Sequence, residues 1–315
     1  MQSAGKAAAD RFHRLRSSIG RHPTAVTVGC TLTVAVALVI GLWGKRGDFG
    51  SALGDAPWWI LGLAILLQLV WLVLRSEAWH VCVGAAGGAV SRRRLYRASS
   101  VGYLGNLFNS QFGLGVRIAA LRRSAPADSP GVSTLLAAEV PIMVVEGALV
   151  ALTSFTLIGP LGVAWWVPLI CLAFALVVIG ILVRVARDRR EGFWAGLAVM
   201  RGLQGRSRII GLVVLAVSAQ VVRNWLVLKG LGVDVSVFDS VALLIAAAVI
   251  GLLPIGPTLG IATAVLILGA NGVALSAAAG ALLTAPAAVG ALCFASWALV
   301  DRMRRTDPLA GAVPS

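Results

Sequence analysis

The alternation of apolar and polar stretches divides the chain into long hydrophobic segments separated by short basic loops. A stretch of about 20 apolar residues is long enough to cross a bilayer, because a helix rises about 1.5 Å per residue. The pattern predicts six full spans, at about residues 24–43, 57–74, 131–157, 162–183, 209–229 and 274–300. The remaining apolar stretches are shorter or interrupted.

The segment from Ser99 to Glu146 has the most unusual pattern. Its first part, SVGYLGNLFNSQFGLGVRIAALRR, consists of two apolar arms around a polar, glycine-rich centre. Each arm reaches only about halfway across the hydrocarbon layer, so we predict a re-entrant hairpin that enters and leaves on one side. We expect the helix to break at Gly113 and Gly115. The polar residues of this centre are Asn106, Asn109, Gln111 and, near the turn, Arg117.

The next span carries Glu139 and Glu146, which share one helix face, with Pro141 between them to loosen the helix. Ionisable residues at membrane depth are tolerated where protein or a water-filled cavity surrounds them. We therefore predict that the hairpin and this span line a polar cavity. The predicted substrate-binding residues are Arg117, Glu139, Asn106, Asn109, Gln111 and Glu146.

Alternatives remain open for these residues. By their distances from the nearest loops, Arg117 and Glu139 lie at similar depths and can pair. Such a pair either fixes the hairpin or forms part of a headgroup or proton site. The hairpin amides either satisfy its carbonyl groups or contact substrate, and Glu146, with no obvious cation, is either a protonated packing residue or a functional one.

A second interruption lies at LLPIGPTLG, where Pro254 and Pro257 remove backbone donors and disfavour helix before each proline. Residues 239–253 and 258–270 therefore form two short helices, with Gly260 close to the bend. Paired interruptions in the two halves of a chain are typical of secondary transporters, where broken helices meet near the midplane. Eight short but ordinary spans are the alternative.

Composition agrees with a membrane location. The chain is 58% hydrophobic and 13% charged, with a mean hydropathy of +0.90. A soluble globule has no interior large enough for so many apolar side chains. We predict an all-α polytopic bundle with a single transmembrane domain over residues 24–301, between a basic tail at 1–23 and a disordered tail at 302–315.

The net charge of +14 comes from basic loops that fall on one side of the membrane if both termini are cytoplasmic. We therefore predict a multi-pass protein of the cell membrane with both termini in the cytoplasm, and no nucleic-acid partner. The middle of the longest loop, EGFWAGLAVMRGL, reads as an amphipathic surface helix with its apolar face in lipid. We expect Arg223 and Asn224 to snorkel to the interface, and Arg75, Glu77 and His80 to form an interfacial cluster.

Catalytic and cofactor motifs are missing from the sequence. The four cysteines are scattered through apolar segments without CxxC spacing, and there is no HExxH, GxSxG, P-loop or dinucleotide fingerprint. We therefore expect no metal, no cofactor and no enzyme activity.

Two pairs of motifs resemble the transmembrane domain of lysylphosphatidylglycerol synthase and its stand-alone, flippase-like relatives. The first pair is YLGNLFNSQFGLGVR with LLAAEV, and the second is LLPIGPTLG with LGANGV. The matching positions are Asn106 or Asn109, Gly113, Arg117 and Glu139, and the family's later PGG-x-G appears here as Pro257, Thr258 and Gly260. The bend proline is absent, and Leu114, Val140 and Thr263 stand where the family has Glu, Arg and Glu. The chain thus resembles a divergent member that has lost several charges.

The resemblance implies that the protein moves or binds lipids or lipid-linked headgroups. The synthase's aminoacyl-transfer domain is a separate soluble module, to which no block of this sequence corresponds. We expect anionic membrane lipids as partners, with Arg117 on the phosphate. An intramembrane transferase acting on a lipid carrier, with Glu139 or Glu146 as base, and a structural partner in an envelope-synthesis complex are the alternatives. A homo-oligomer also remains open.

Overall fold

The described part of the chain is helical throughout. The computed structural model describes residues 54, 57–107, 110–124, 128–189, 191–233, 235–250 and 273–303, and these residues contain no strand. In chain order the first helices are α1 (Trp58–Ala85), α2 (Arg92–Asn106), α3 (Ser110–Ser124), α4 (Val132–Ala137) and α5 (Val140–Thr153). They are followed by a 3-10 turn (Ser154–Leu157), α6 (Ile158–Leu161), α7 (Trp166–Asp188), a 3-10 segment (Gly192–Met200), α8 (Leu203–Gly230), α9 (Val237–Ile250) and α10 (Val273–Met303).

Within the described residues, five stretches of helix are long and apolar enough to cross a membrane. They are α1, the run from α4 to the 3-10 turn, α7, α8 and the main part of α10, and they confirm five of the six predicted spans. The predicted span at 24–43 lies outside the described residues. α10 continues to Met303, slightly beyond the predicted end of the transmembrane domain.

The arginine-rich loops meet at one end of the bundle, which we call the basic end. Glu77 near the end of α1 contacts Arg92 at the start of α2 and Arg208 near the start of α8. At the opposite end, Gly230 of α8 lies against Ile60 of α1. α1 and α8 therefore run antiparallel along each other and form the centre of the bundle.

The predicted hairpin is confirmed as two half-length helices, α2 and α3, joined through residues 107–109. Both helices have their outer ends at the basic end. There Arg94 donates to Asp128 at 2.9 Å, Arg122 donates to the Pro130 carbonyl at 3.1 Å, and Arg97 pairs with Asp301 of α10. The hairpin therefore enters and leaves on one side, and its tip points into the bundle.

The predicted helix break at Gly113 and Gly115 is wrong, because both residues lie inside α3. Gly113 serves instead as a point of close contact between the two arms. A Cβ atom built on Gly113 would lie 2.6 Å from the Gly102 carbonyl oxygen and would collide with the side-chain oxygen of Asn106. A Cβ atom on Gly105 would lie 2.9 Å from the Cα atom of Gly113. The sequence uses these glycines to bring two helix backbones together, as small residues do in membrane bundles.

We expect Gly113→Ala to destabilise the protein by about 1–3 kcal/mol, because the added methyl group overpacks the contact between α2 and α3. Gly115→Ala is the matched control, since a Cβ atom there meets nothing within 4 Å. Thermal unfolding of the two variants in the same detergent measures the difference. Equal melting temperatures for the two variants would contradict the close contact.

The 3-10 segment corrects another prediction. It does not lie flat with its apolar face in lipid, because Leu197 is fully buried and Gly196 fits against the backbone of α4, where a Cβ atom would lie 2.5 Å from the Thr134 carbonyl oxygen. The Thr134 hydroxyl donates to the Gly192 carbonyl at 3.0 Å. Arg201, just beyond the segment, donates to the Ala186 carbonyl at 2.7 Å at the end of α7. The loop is therefore part of the packed basic end.

The predicted second broken pair is described only in its first half. α9 starts next to the opposite end, where the backbone N–H of Ser236 donates to the Asp239 carboxylate at 2.8 Å, and packs against α8 and the 3-10 turn. The predicted break at Pro254, Pro257 and Gly260 lies outside the described residues. Between the second and third of the five spans, the short helix α6 ends at Gly162, which has the left-handed conformation with φ of 61°.

Candidate functional site

Four ionised side chains meet inside the basic half of the bundle, and we call them the charge cluster: Arg75, Arg117, Glu139 and Glu146. Arg117 of the hairpin pairs with Glu139, which confirms the pair that the sequence suggested. Arg75 of α1 pairs with Glu146 and lies 3.6 Å from the second Glu139 oxygen. Arg117 and Glu139 are 6% and 4% exposed, so the bulk solvent does not solvate this pair.

The local sequence explains the position of each carboxylate. Pro141 has no N–H group, and the helix breaks just before it, with Glu139 between α4 and α5. Glu139 and Glu146 then face the same cation, Arg75, as their spacing predicts. The Arg117 guanidinium also lies 4.1 Å from the centre of the Trp79 ring, where a cation is attracted to the aromatic face. Two positive and two negative charges leave the cluster neutral.

A second ionic group lies around Glu77 at the basic end. Its carboxylate accepts hydrogen bonds from Arg92 at 2.8 Å, Arg208 at 3.0 Å and the Tyr96 hydroxyl at 3.0 Å, and His80 lies 4.0 Å away. Burial, and then the Glu77 contact, raises the pKa of Tyr96 to about 12, so this phenol stays a hydrogen-bond donor. The predicted cluster of Arg75, Glu77 and His80 is therefore split, because Arg75 faces the deeper carboxylates.

A polar cavity of about 190 Å³, which we call the central cavity, lies between α1, the tip of the hairpin, α8 and α10. It is large enough for several water molecules or a phosphate-sized group, at about 30 Å³ per water. Its polar and aromatic lining residues are Gln68, Trp71, Tyr103, Asn106, Gln220 and Arg223. Of the predicted binding residues, Asn106 is in this lining, whereas Arg117, Glu139 and Glu146 do not border the cavity.

Arg223 is the cation of the central cavity. It is 7% exposed, so the prediction that it snorkels to the interface is wrong. Its Nε and Nη2 groups donate to the Asn224 side-chain oxygen at 3.3 and 3.0 Å, and Nη1 donates to the Gln68 side-chain oxygen. Among the described residues it pairs with no carboxylate. The apolar segments that the structure does not describe, 24–43 and 251–272, contain no Asp or Glu.

The position of Gln68 along α1 gives the depth of this group. Gln68 is ten residues from Trp58 at the opposite end and nine from Glu77 at the basic end, or about 15 and about 14 Å along the helix. A hydrocarbon core is about 30 Å thick, so Gln68 and Arg223 lie close to its midplane. Gly290 of α10 lies against Gln68, with a built Cβ atom 2.8 Å from its Cγ, and holds this glutamine toward α8.

The two remaining predicted binding residues are Asn109 and Gln111 of the hairpin. Asn109 lies outside the described residues, and Gln111 lies in the first turn of α3. Sequence reasoning missed Gln68 and Gln220, although each is an amide inside a long apolar span. It misjudged Arg223 although the predicted span ended at 229, one residue before the end of α8, because the sequence does not show that this side chain faces Gln68 of α1.

The described residues contain no group of three His, Cys, Asp or Glu side chains that could hold a metal ion. Cys82, Cys171 and Cys293 are free thiols, and both carboxylates of the charge cluster are paired with arginine. The central cavity itself is lined by a guanidinium, several amides and two aromatic side chains.

Comparison with known proteins adds one finding. The family model described as the Lysylphosphatidylglycerol synthase TM region matches residues 30–296, which is most of the chain. This range includes the hairpin, the charge cluster and every residue of the central cavity. No curated protein and no solved structure matches the chain.

Proposed function

Because the chain belongs to the Lysylphosphatidylglycerol synthase TM region family, we propose that it binds the anionic headgroup of a membrane lipid in the central cavity and moves it between leaflets. The family membership and the five apolar spans support a membrane protein related to lipid handling. Transport itself is the proposal.

The main support for this proposal is the position of Arg223. It lies near the midplane beside a polar cavity, and it pairs with no carboxylate in the described chain. A charge at this depth costs roughly 2.5–3.5 kcal/mol on insertion scales. The cost is offset when an anion enters the cavity. Arginine has five N–H donors, and the Asn224 and Gln68 contacts use three of them, which leaves two for phosphate oxygens.

The residues around Arg223 have separate roles in the proposed headgroup binding. Gln68 and Asn224 hold the Arg223 guanidinium in one orientation, so little side-chain entropy is lost when a headgroup binds. Asn106 brings an amide from the tip of the hairpin, and Trp71 and Tyr103 form the apolar wall. The acyl chains remain in lipid while the polar group crosses, so the protein lowers the barrier for the headgroup alone.

The charge cluster has a separate part. Arg117 and Glu139 neutralise each other and connect the hairpin to the break between α4 and α5. We propose that this pair fixes the hairpin so that its tip borders the central cavity. That Arg117 and Glu139 themselves contact substrate stays a prediction.

The test is a translocation assay in proteoliposomes that contain a phosphatidylglycerol with a fluorescent acyl chain and an impermeant reductant outside. Wild type is expected to expose inner-leaflet lipid to the reductant, whereas Arg223→Gln abolishes this exposure because the cation is lost. Arg93→Gln is the control, since this exposed arginine of α2 lies far from the cavity and carries the same change of charge.

Three results would contradict the proposal. Full activity of Arg223→Gln would remove the cavity from the transport path. A covalently altered lipid recovered from the vesicles would favour an intramembrane transferase instead. Unaltered lipid that binds to wild type but never changes leaflet would leave a lipid-binding protein in place of a transporter.

A further inference from the structure

A second cavity, of about 320 Å³, lies between α5, α7, α8 and the 3-10 segment, and we call it the lateral groove. Its walls come from apolar side chains such as Val145, Leu149, Leu152, Ile179 and Val214. Among the described residues that line it, Arg206 alone is charged. None of its lining residues borders the central cavity.

The lateral groove opens toward the lipid and is as deep as one leaflet. Leu152 and Ile210 on its rim are 59% and 48% exposed. From Arg206 to Val214 it follows α8 for eight residues, about 12 Å, and from Pro141 to Leu152 it follows α5 for eleven residues, about 16 Å. Half of a hydrocarbon core is about 15 Å.

Arg206 lies at the end of the groove near the basic end. Its Nε group is buried and has no hydrogen-bond partner, and the guanidinium takes part in none of the ion pairs of the described chain. Arg208, two residues further along α8, contrasts with it because it is paired with Glu77. Arg187 follows the groove residue Val183 by four positions, so it lies on the same face of α7 and adds a second positive charge beyond the groove.

We propose that the lateral groove is a binding site for an anionic phospholipid of the leaflet at the basic end, with one acyl chain in the groove and the phosphate on Arg206. The apolar walls match a hydrocarbon chain in polarity and length. The buried, unpartnered Nε group requires an acceptor, and a phosphate diester supplies it. A zwitterionic lipid would place its ammonium group among Arg206 and Arg187, so the site selects net negative charge.

This site is independent of the proposed transport through the central cavity. A lipid held by Arg206 stays in one leaflet and fills the space between α5, α7 and α8. It is therefore a structural lipid that stays bound. Because α7 has few buried residues of its own, the lipid gives this helix an additional apolar contact.

The test uses native mass spectrometry on protein purified from vesicles of equal parts phosphatidylglycerol and phosphatidylcholine. Wild type is expected to retain phosphatidylglycerol about tenfold over phosphatidylcholine, the ratio that one charge-assisted hydrogen bond gives. Arg206→Gln removes this preference. Arg208→Gln, the matched control on the same helix, keeps it because Arg208 already contacts Glu77.

A second pair of variants tests the acyl chain. Ala148→Phe fills the groove and lowers the retention of both lipids, whereas Met143→Phe, at an exposed position on the same helix, changes nothing. A phosphatidylglycerol with a diazirine near the end of its acyl chain should label peptides of α5 and α8, and this readout remains usable if a variant is less stable.

Several outcomes would overturn the proposal. Equal retention of the two lipids by wild type would mean ordinary annular lipid. An unchanged preference in Arg206→Gln would remove the phosphate contact. Labelling that maps away from α5 and α8 would place the bound lipid elsewhere.

Discussion

Replacing Arg117 with methionine is expected to destabilise the protein by about 3–5 kcal/mol, because it leaves a buried carboxylate without its main partner. Glu139 is 4% exposed, and its remaining cation, Arg75, lies 3.6 Å away and already pairs with Glu146. After the substitution the charge cluster carries one excess negative charge. Chemical or thermal unfolding in detergent measures the loss.

The double variant Arg117→Met with Glu139→Leu is expected to recover most of this stability. It removes both charges together, and a buried pair replaced by apolar residues of similar size is often neutral. Arg75 and Glu146 remain paired and neutral. If the double variant folds like wild type and still moves lipid, the pair fixes the hairpin. If it folds but binds no lipid, Arg117 or Glu139 contacts the headgroup, as the sequence suggested.

Arg223→Gln is expected to abolish lipid translocation while the melting temperature stays the same or rises. The reason is that the described chain pairs Arg223 with amide oxygens and with no carboxylate, so its removal leaves no buried counter-charge behind. Glutamine retains an N–H donor for Gln68 or Asn224, and water can enter the adjoining cavity. Transport and stability, measured on the same preparation, should therefore separate, with transport lost and stability retained.

Arg223→Lys is the conservative control. It retains the charge but loses the planar, bidentate donor set, so we expect weaker headgroup binding with partial transport. A large loss of stability in Arg223→Gln would show instead that the guanidinium holds α1 against α8. Arg223 would then have a structural role.

The sequence was sufficient for the fold class and the hairpin because both depend on segment length and polarity. An apolar run of bilayer length has few alternatives to a spanning helix, and a half-length arm cannot cross. The pairing of Arg117 with Glu139 followed from their similar depths alone. The family resemblance was also confirmed, through a model that matches residues 30–296.

The position of the central cavity was not predictable in the same way. Which face of α8 carries Arg223 inward depends on the rotation of that helix against α1, and hydropathy does not fix rotation. Similarly, Gly113 was taken for a helix break although it is a contact, because a glycine at a bend and a glycine at a helix crossing have the same sequence signal. The partner of Glu146 was missed because Arg75 lies in a different span.

The arrangement of the charge cluster also sets an order for biogenesis. Arg75 and Arg117 are made before Glu139 and Glu146, so both cations emerge from the ribosome while their counter-ions do not yet exist. A hairpin that docked at that moment would carry an uncompensated cation into hydrocarbon. We therefore expect the two half-length helices to dock into the bundle only after the following span has been inserted, as a late step in its assembly.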